Sequence, residues 1–76
     1  MKRYDLRHLK GAFDSRMVEI MKEEKDPKEV LIFLFEIGDF SPIQRSADLV
    51  KAQGLELINS LKFNEADWTI VVKHKE

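Results

Sequence analysis

Six consecutive apolar residues, Val30-Leu31-Ile32-Phe33-Leu34-Phe35, limit what this 76-residue chain can become more than any other stretch. The run is rich in β-branched and aromatic side chains and has no polar alternation, which marks a strand that is apolar on both faces. Side chains along a strand point alternately to its two sides, so Leu31, Phe33 and Phe35 form one set and Val30, Ile32 and Leu34 the other. A chain this short has room for only one core. It is expected to be a single domain over residues 1–76, with one set in the core and the other on an exposed apolar surface. The alternation alone does not say which set is outside; Leu31, Phe33 and Phe35 are the candidate partner-binding residues. Large exposed apolar patches are unusual on monomers, so a partner or a second copy is expected to cover this one. Shielding by the apolar stems of long charged side chains is the alternative.

The rest of the composition narrows the classes. The run is far short of the ~20 apolar residues that span a bilayer, and the basic start has no signal-peptide hydrophobic stretch, so neither secretion by that route nor membrane insertion is expected. Thirteen basic and fourteen acidic residues leave a formal charge of −1, which offers no general attraction to nucleic acid. With no cysteine in the sequence, the chain cannot form a disulfide, a thiolate metal site or a reactive thiol. That usage suits a reducing cytoplasm. The signs of charge are uneven, with Lys2, Arg3, Arg7, His8 and Lys10 at one end and Glu19, Glu23, Glu24, Asp26 and Glu29 following.

Tyr4 and Leu6 alternate with Arg3, Asp5 and Arg7, a period of two that predicts a first strand near residues 2–7. Phe13, Met17, Ile20 and Met21 share one helical stripe, predicting a helix near 12–24 that ends before Pro27. After the apolar strand, near 29–36, Ser41-Pro42-Ile43-Gln44 offers a serine N-cap, a proline at the first helical position and a glutamine three residues after the cap. That predicts a helix near 42–53, stopped by Gly54 in a left-handed conformation. Leu55, Leu57, Leu61 and Phe63 are placed on one side of a strand near 55–63, and Trp68, Ile70 and Val72 on one side of a strand near 67–74. Asn64-Glu65-Ala66-Asp67 forms the hairpin turn. The expected order is βαβαββ.

Asp5-Leu6-Arg7-His8-Leu9-Lys10-Gly11-Ala12-Phe13-Asp14 resembles the opening of the TusA/SirA-like sulfur carriers, where a first strand leads into Cys-Pro-x-Pro at a helix start. Gly11 stands where that cysteine would be, and Ala12 and Asp14 replace the two prolines. A thiolate carries the persulfide, so the family's reaction is excluded here. Pro27-Lys28-Glu29-Val30-Leu31 and Gly54-Leu55-Glu56-Leu57 resemble further family segments, and Trp68 and Lys73 sit where a tryptophan and a basic residue are common. The resemblance implies an α+β, two-layer sandwich with both helices on one face of a four-stranded mixed sheet. The whole string, through Asn59-Ser60-Leu61-Lys62-Phe63-Asn64 and Ala66-Asp67-Trp68-Thr69-Ile70-Val71-Val72, is also similar to small epsilonproteobacterial proteins encoded in the complex I operon in place of the usual E-type subunits. Ordinary E-type subunits hold an iron–sulfur cluster through cysteines, which this chain lacks.

That narrower likeness implies an accessory subunit of a NADH-quinone oxidoreductase-like (complex I) respiratory enzyme, not catalytic alone, in the cytoplasm and peripheral to the inner membrane. Its expected partners are other subunits of the complex, with a homodimer through the open sheet face as a further expectation. The alternative is a cysteine-less binding or regulatory module in sulfur or selenium metabolism. Arg7, His8 and Lys10 gather near the first helix N-terminus, where free N–H groups favour anions, and could hold the phosphate of a flavin, FAD or FMN. Trp68 could stack on its ring. A solvated basic face and a core tryptophan are the plainer readings, since no glycine-rich phosphate loop is present. His8 and His74 lack the close spacing of a helical metal pair, so no metal site is expected. No nucleophile constellation suggests an enzyme.

Overall fold

The apolar run becomes the second strand of a four-stranded mixed sheet, with a neighbour on each side. In the computed structural model, which describes residues 1–75, the order is β1 (Lys2–Asp5), a 3-10 segment (Arg7–Ala12), α1 (Phe13–Glu23), β2 (Val30–Glu36), α2 (Ser41–Ala52), β3 (Leu55–Lys62) and β4 (Asp67–His74). The strands lie in the order β1-β2-β4-β3. β1 runs parallel to β2 with Lys2 opposite Leu31, while β4 is antiparallel to both β2 and β3. The α+β order expected from sequence is therefore the one observed. The 3-10 segment between β1 and α1 was not foreseen.

Both helices cover the same face. The stripe Phe13, Met17, Ile20 and Met21 of α1 is buried together with Val50 of α2 against Leu31, Phe33, Phe35, Ile70 and Val72 of the sheet. Tyr4 stacks on Phe33 with ring centroids 5.5 Å apart, and Phe13 lies nearly flat on Phe35 at 4.4 Å and 5°. This corrects one expectation. Leu31, Phe33 and Phe35 are each 0% exposed and so form the centre of the core, not a partner surface. The physical reason is size, because two phenylalanines and a leucine carry more apolar area than Val30, Ile32 and Leu34, and the layer under the helices gains most by enclosing the larger set.

A second correction concerns β3. Its pairing with β4 slips between Leu57 and Asn59, leaving Ile58 as the extra residue of a β-bulge. One added residue exchanges the faces of all that follow. Leu55 and Leu57 stay on the helix side, whereas Leu61, opposite Thr69, turns to the uncovered side together with Phe63.

The start of α2 is also capped differently from the sequence expectation. The helix begins at Ser41, and the Asp39 carboxylate accepts both its backbone N–H at 2.8 Å and its hydroxyl at 2.7 Å. These two bonds hold the Asp39 carboxyl below its usual range. Gln44 donates instead to Asp48 at 3.0 Å. Gly54 adopts the expected left-handed conformation, φ 75°, just beyond α2.

Candidate functional site

Two surfaces remain for function. The first is the sheet face without helices. Register places Arg3 and Asp5 of β1, Ile32 and Leu34 of β2, Thr69 and Val71 of β4, and Asn59 and Leu61 of β3 on it. They line a shallow, mostly apolar groove of about 480 Å³ that Phe63 closes at one end. Leu61 is 43% and Phe63 58% exposed, so the bulge gives this face two of its largest accessible apolar side chains. Ile32 and Leu34 are half-buried. An exposed apolar face therefore exists, built from the other residue set of β2.

The second surface is the end where the segment after β1 and the loop after β2 meet. Asp5 holds Arg7 through both carboxylate oxygens, at 2.9 Å to Nε and 2.7 Å to Nη2, and also accepts the Arg7 backbone N–H at 3.1 Å. The side-chain bonds from Arg7, then its backbone N–H, hold the Asp5 carboxyl down at about 2, and the same pairing raises Arg7 above its ordinary value. The remaining Arg7 nitrogen, Nη1, reaches Asp67 at 3.3 Å. Asp67 is 7% exposed and also accepts from the Asn64 amide at 2.8 Å. Lys10 pairs with Glu36 at 3.6 Å. The two permanent cations of the predicted anion cluster are thus matched by three carboxylates, and His8 alone of the three residues stands exposed without such a partner among the described residues.

Trp68 is not brought to that cluster on one surface. It pairs in register with Phe35, so it lies on the helix side of the sheet while Asp5, Glu36 and Asp67 lie on the other. Its indole N–H donates to the Ser60 hydroxyl at 2.8 Å, and its ring packs against the core. The four residues named from sequence therefore do not form a single pocket. His74 donates its Nε2–H to the Glu24 carbonyl at 2.8 Å, far from His8, and no cluster of metal-ligating side chains occurs among the described residues.

Sequence reading missed two residues at this end. Arg45 of α2 pairs with Asp14 at 3.1 Å, donates to the Gly11 carbonyl at 3.4 Å and sits 5.3 Å above the Phe13 ring, clasping the entry to α1. An arginine in the first turns of an amphipathic helix carries no sequence signal for such a contact, because the partner lies 31 residues away. Phe40, in the loop before α2, is 79% exposed. Its signal was available, since an aromatic between Gly38-Asp39 and Ser41-Pro42 has no helix or strand to bury it. The backbone beside the clasp is unusual as well. Lys10 has φ 48° and ψ −124°, a conformation that costs a residue with a Cβ of order 1 kcal/mol. Gly11 itself would accept a Cβ without contact.

Comparison with known proteins gives the same fold a family. No curated protein matches the chain. Among solved structures it is similar to the solution structure of HP1264 from Helicobacter pylori, with 56% identity over 100% of both chains and a TM-score of 0.67. A family described as "putative NADH-ubiquinone oxidoreductase", of the E type among that enzyme's chains, matches residues 1–74. By that match, the protein belongs to this E-type NADH-ubiquinone oxidoreductase family.

Proposed function

We propose that this chain is a non-catalytic accessory subunit of a NADH-quinone oxidoreductase-like respiratory enzyme, docking on a neighbouring subunit through the end that carries His8, Lys10 and Phe40. The observation that carries the reading is the family match over residues 1–74. The chemistry of the chain supports the non-catalytic part. An E-type subunit with an iron–sulfur cluster needs thiolate donors, and the donor set here contains no cysteine and no cluster of histidine and carboxylate side chains among the described residues. The residues do not fit such a cluster, so electron transfer in the complex is assigned to other subunits. No helix is long and apolar enough to cross a membrane, in keeping with attachment through a protein partner.

A finer part of the proposal is that this end contributes to flavin binding on the electron-input side. Support comes from the solvent-facing His8 and the 79% exposed Phe40 ring at one end of the sheet. Because Arg7 and Lys10 are already paired with carboxylates, stacking on Phe40 would carry more of the contact than a phosphate bridge, and Trp68 would carry none.

The docking test is co-purification. A tagged chain at native expression, extracted from membranes in gentle detergent, should bring down respiratory subunits, and Phe40→Asp should lose them while remaining folded. Recovery of no respiratory subunit with the wild-type chain overturns the proposal. FAD and FMN fluorescence titrations test the finer part separately. Saturable quenching that falls in Phe40→Ala and persists in Trp68→Phe is expected; no saturable change removes flavin and leaves docking standing.

A further inference from the structure

The uncovered sheet face carries opposite charges at its opposite edges. Arg3, on the edge strand β1, projects on this face beside Ile32, and Glu56, on the other edge strand β3, projects on it opposite Lys73. Both are exposed, and neither side chain has an ion-pair or hydrogen-bond partner among the described residues. Between them lie Ile32, Leu34, Val71, Thr69 and Leu61. The other carboxylates near the groove are already engaged, Asp5 with Arg7 and Glu36 with Lys10. The face thus offers an apolar middle with one free cation at one margin and one free anion at the other.

We propose that this face is the interface of a symmetric dimer, covered by the same face of a second copy, with Arg3 of each copy paired to Glu56 of its partner. Two sheets packed face to face align to within about 30° and stand about 10 Å apart. A two-fold axis along the strands sets β1 over the other copy's β3, and β2 over its β4. Each Arg3 then meets the row holding Asn59, and Glu56 lies two residues further along, in the row of Lys73 and Val30. That offset is about 7 Å along the strand, which extended arginine and glutamate side chains span together across the gap. The same operation brings Ile32 and Leu34 of one copy over Val71 and Thr69 of the other, and sets Leu61 over the Asp5 position of β1, beside Leu34 in the same row. A two-fold contact repeats each pair twice and closes on itself, the commonest symmetry of soluble assemblies. An unrelated partner would have to supply both complementary charges independently.

Size sets the strength. Four strands at about 4.8 Å spacing and some seven residues long cover about 450 Å² per copy. The total of about 900 Å² lies below the ~1,200–2,000 Å² of stable complexes, so the dimer belongs to the weak, reversible class. The end with His8 and Phe40, where the segment after β1 meets the loop after β2, stays outside this contact, so docking there and pairing here are compatible, and either can fail alone.

The test is sedimentation equilibrium of the full chain from about 10 μM to 1 mM, with circular dichroism to verify folding. Wild type should show a reversible monomer–dimer equilibrium. Arg3→Glu and Glu56→Arg should each raise the dissociation constant about ten-fold, by placing like charges together, and the double swap should return it to near the wild-type value. Leu34→Asp should abolish association without unfolding the monomer. A wild-type chain that stays monomeric at about 1 mM overturns the proposal. So does a double swap no better than the single ones, because only a contact between Arg3 and the other copy's Glu56 predicts rescue.

Discussion

Replacing Phe35 by alanine tests the assignment of the two faces of β2 directly. The side chain is 0% exposed and stacks on Phe13 at 4.4 Å. Truncating a buried phenylalanine costs ~3–5 kcal/mol, of which the ring pair accounts for ~0.5–1.5 kcal/mol. A domain of this length holds about 4–11 kcal/mol in total, so Phe35→Ala removes from about a third of the stability to all of it. Leu34, the next residue, faces the groove and is half-buried, and its truncation should cost about 1 kcal/mol. Urea unfolding followed by circular dichroism and by the fluorescence of Trp68, the single tryptophan, gives both numbers. With a slope near 1–1.5 kcal/mol per molar, Phe35→Ala should lower the midpoint by about 2–5 M and Leu34→Ala by no more than about 1 M. A Phe35→Ala loss under about 1 kcal/mol, or a Leu34→Ala loss of equal size, would refute the reasoning that the larger residue set faces the helices.

Two further outcomes follow from local geometry. Gly54 has φ 75° and nothing within 4 Å of an added Cβ, so Gly54→Ala should cost only the backbone penalty of about 1 kcal/mol, seen as a melting temperature about 4–8 °C lower, whereas Gly11→Ala, lacking that conformation, should melt like wild type. Asp5 has its carboxyl lowered from the ordinary 3.8 to about 2 by Arg7; a depressed folded value means its contribution is complete above 3.8 and is lost as pH falls toward about 2. Carboxyl-carbon NMR should place the Asp5 midpoint near 2 in wild type and near 3.8 in Arg7→Ala, and a wild-type midpoint near 3.8 would refute the Asp5–Arg7 pairing.

What could be read from the sequence was what depends on local periodicity. The stripe Phe13, Met17, Ile20 and Met21 is buried as a unit because 3.6-residue spacing fixes one face of α1 whatever it packs on. Pro27 and Gly54 act through their own dihedrals, and the bounds they set fall close to the observed ones. The inside set of β2 was not legible, because alternation pairs residues without orienting them. Orientation follows from the larger apolar area of Leu31, Phe33 and Phe35 once Phe13 and Tyr4, which arrive from elsewhere in the chain, are there to stack on it. The side of Leu61 was missed because Leu55, Leu57, Leu61 and Phe63 keep an odd-numbered alternation across the bulge at Ile58, broken only by Asn59. The cation cluster misled for a related reason. Lysines and arginines count as positive in a sequence, yet Asp5 holds Arg7 locally, and Asp67 and Glu36, both remote in sequence from Arg7 and Lys10, complete the neutralisation in space.

The bulge has a consequence beyond the face it rearranges. A sheet with two free edges can grow by adding strands, and β3, eight residues long with Ile58 and Leu61 exposed and Phe63 just beyond it, would be an inviting template. Ile58 interrupts its row of outward N–H and C=O groups midway, and Glu56 and Lys62 set a charge on either side of the break. The opposite edge, β1, is only four residues long and begins with Lys2 and Arg3. Neither border offers a straight run for ribbon growth, so the protein can keep an apolar surface available for specific contacts at high concentration without condensing into fibres.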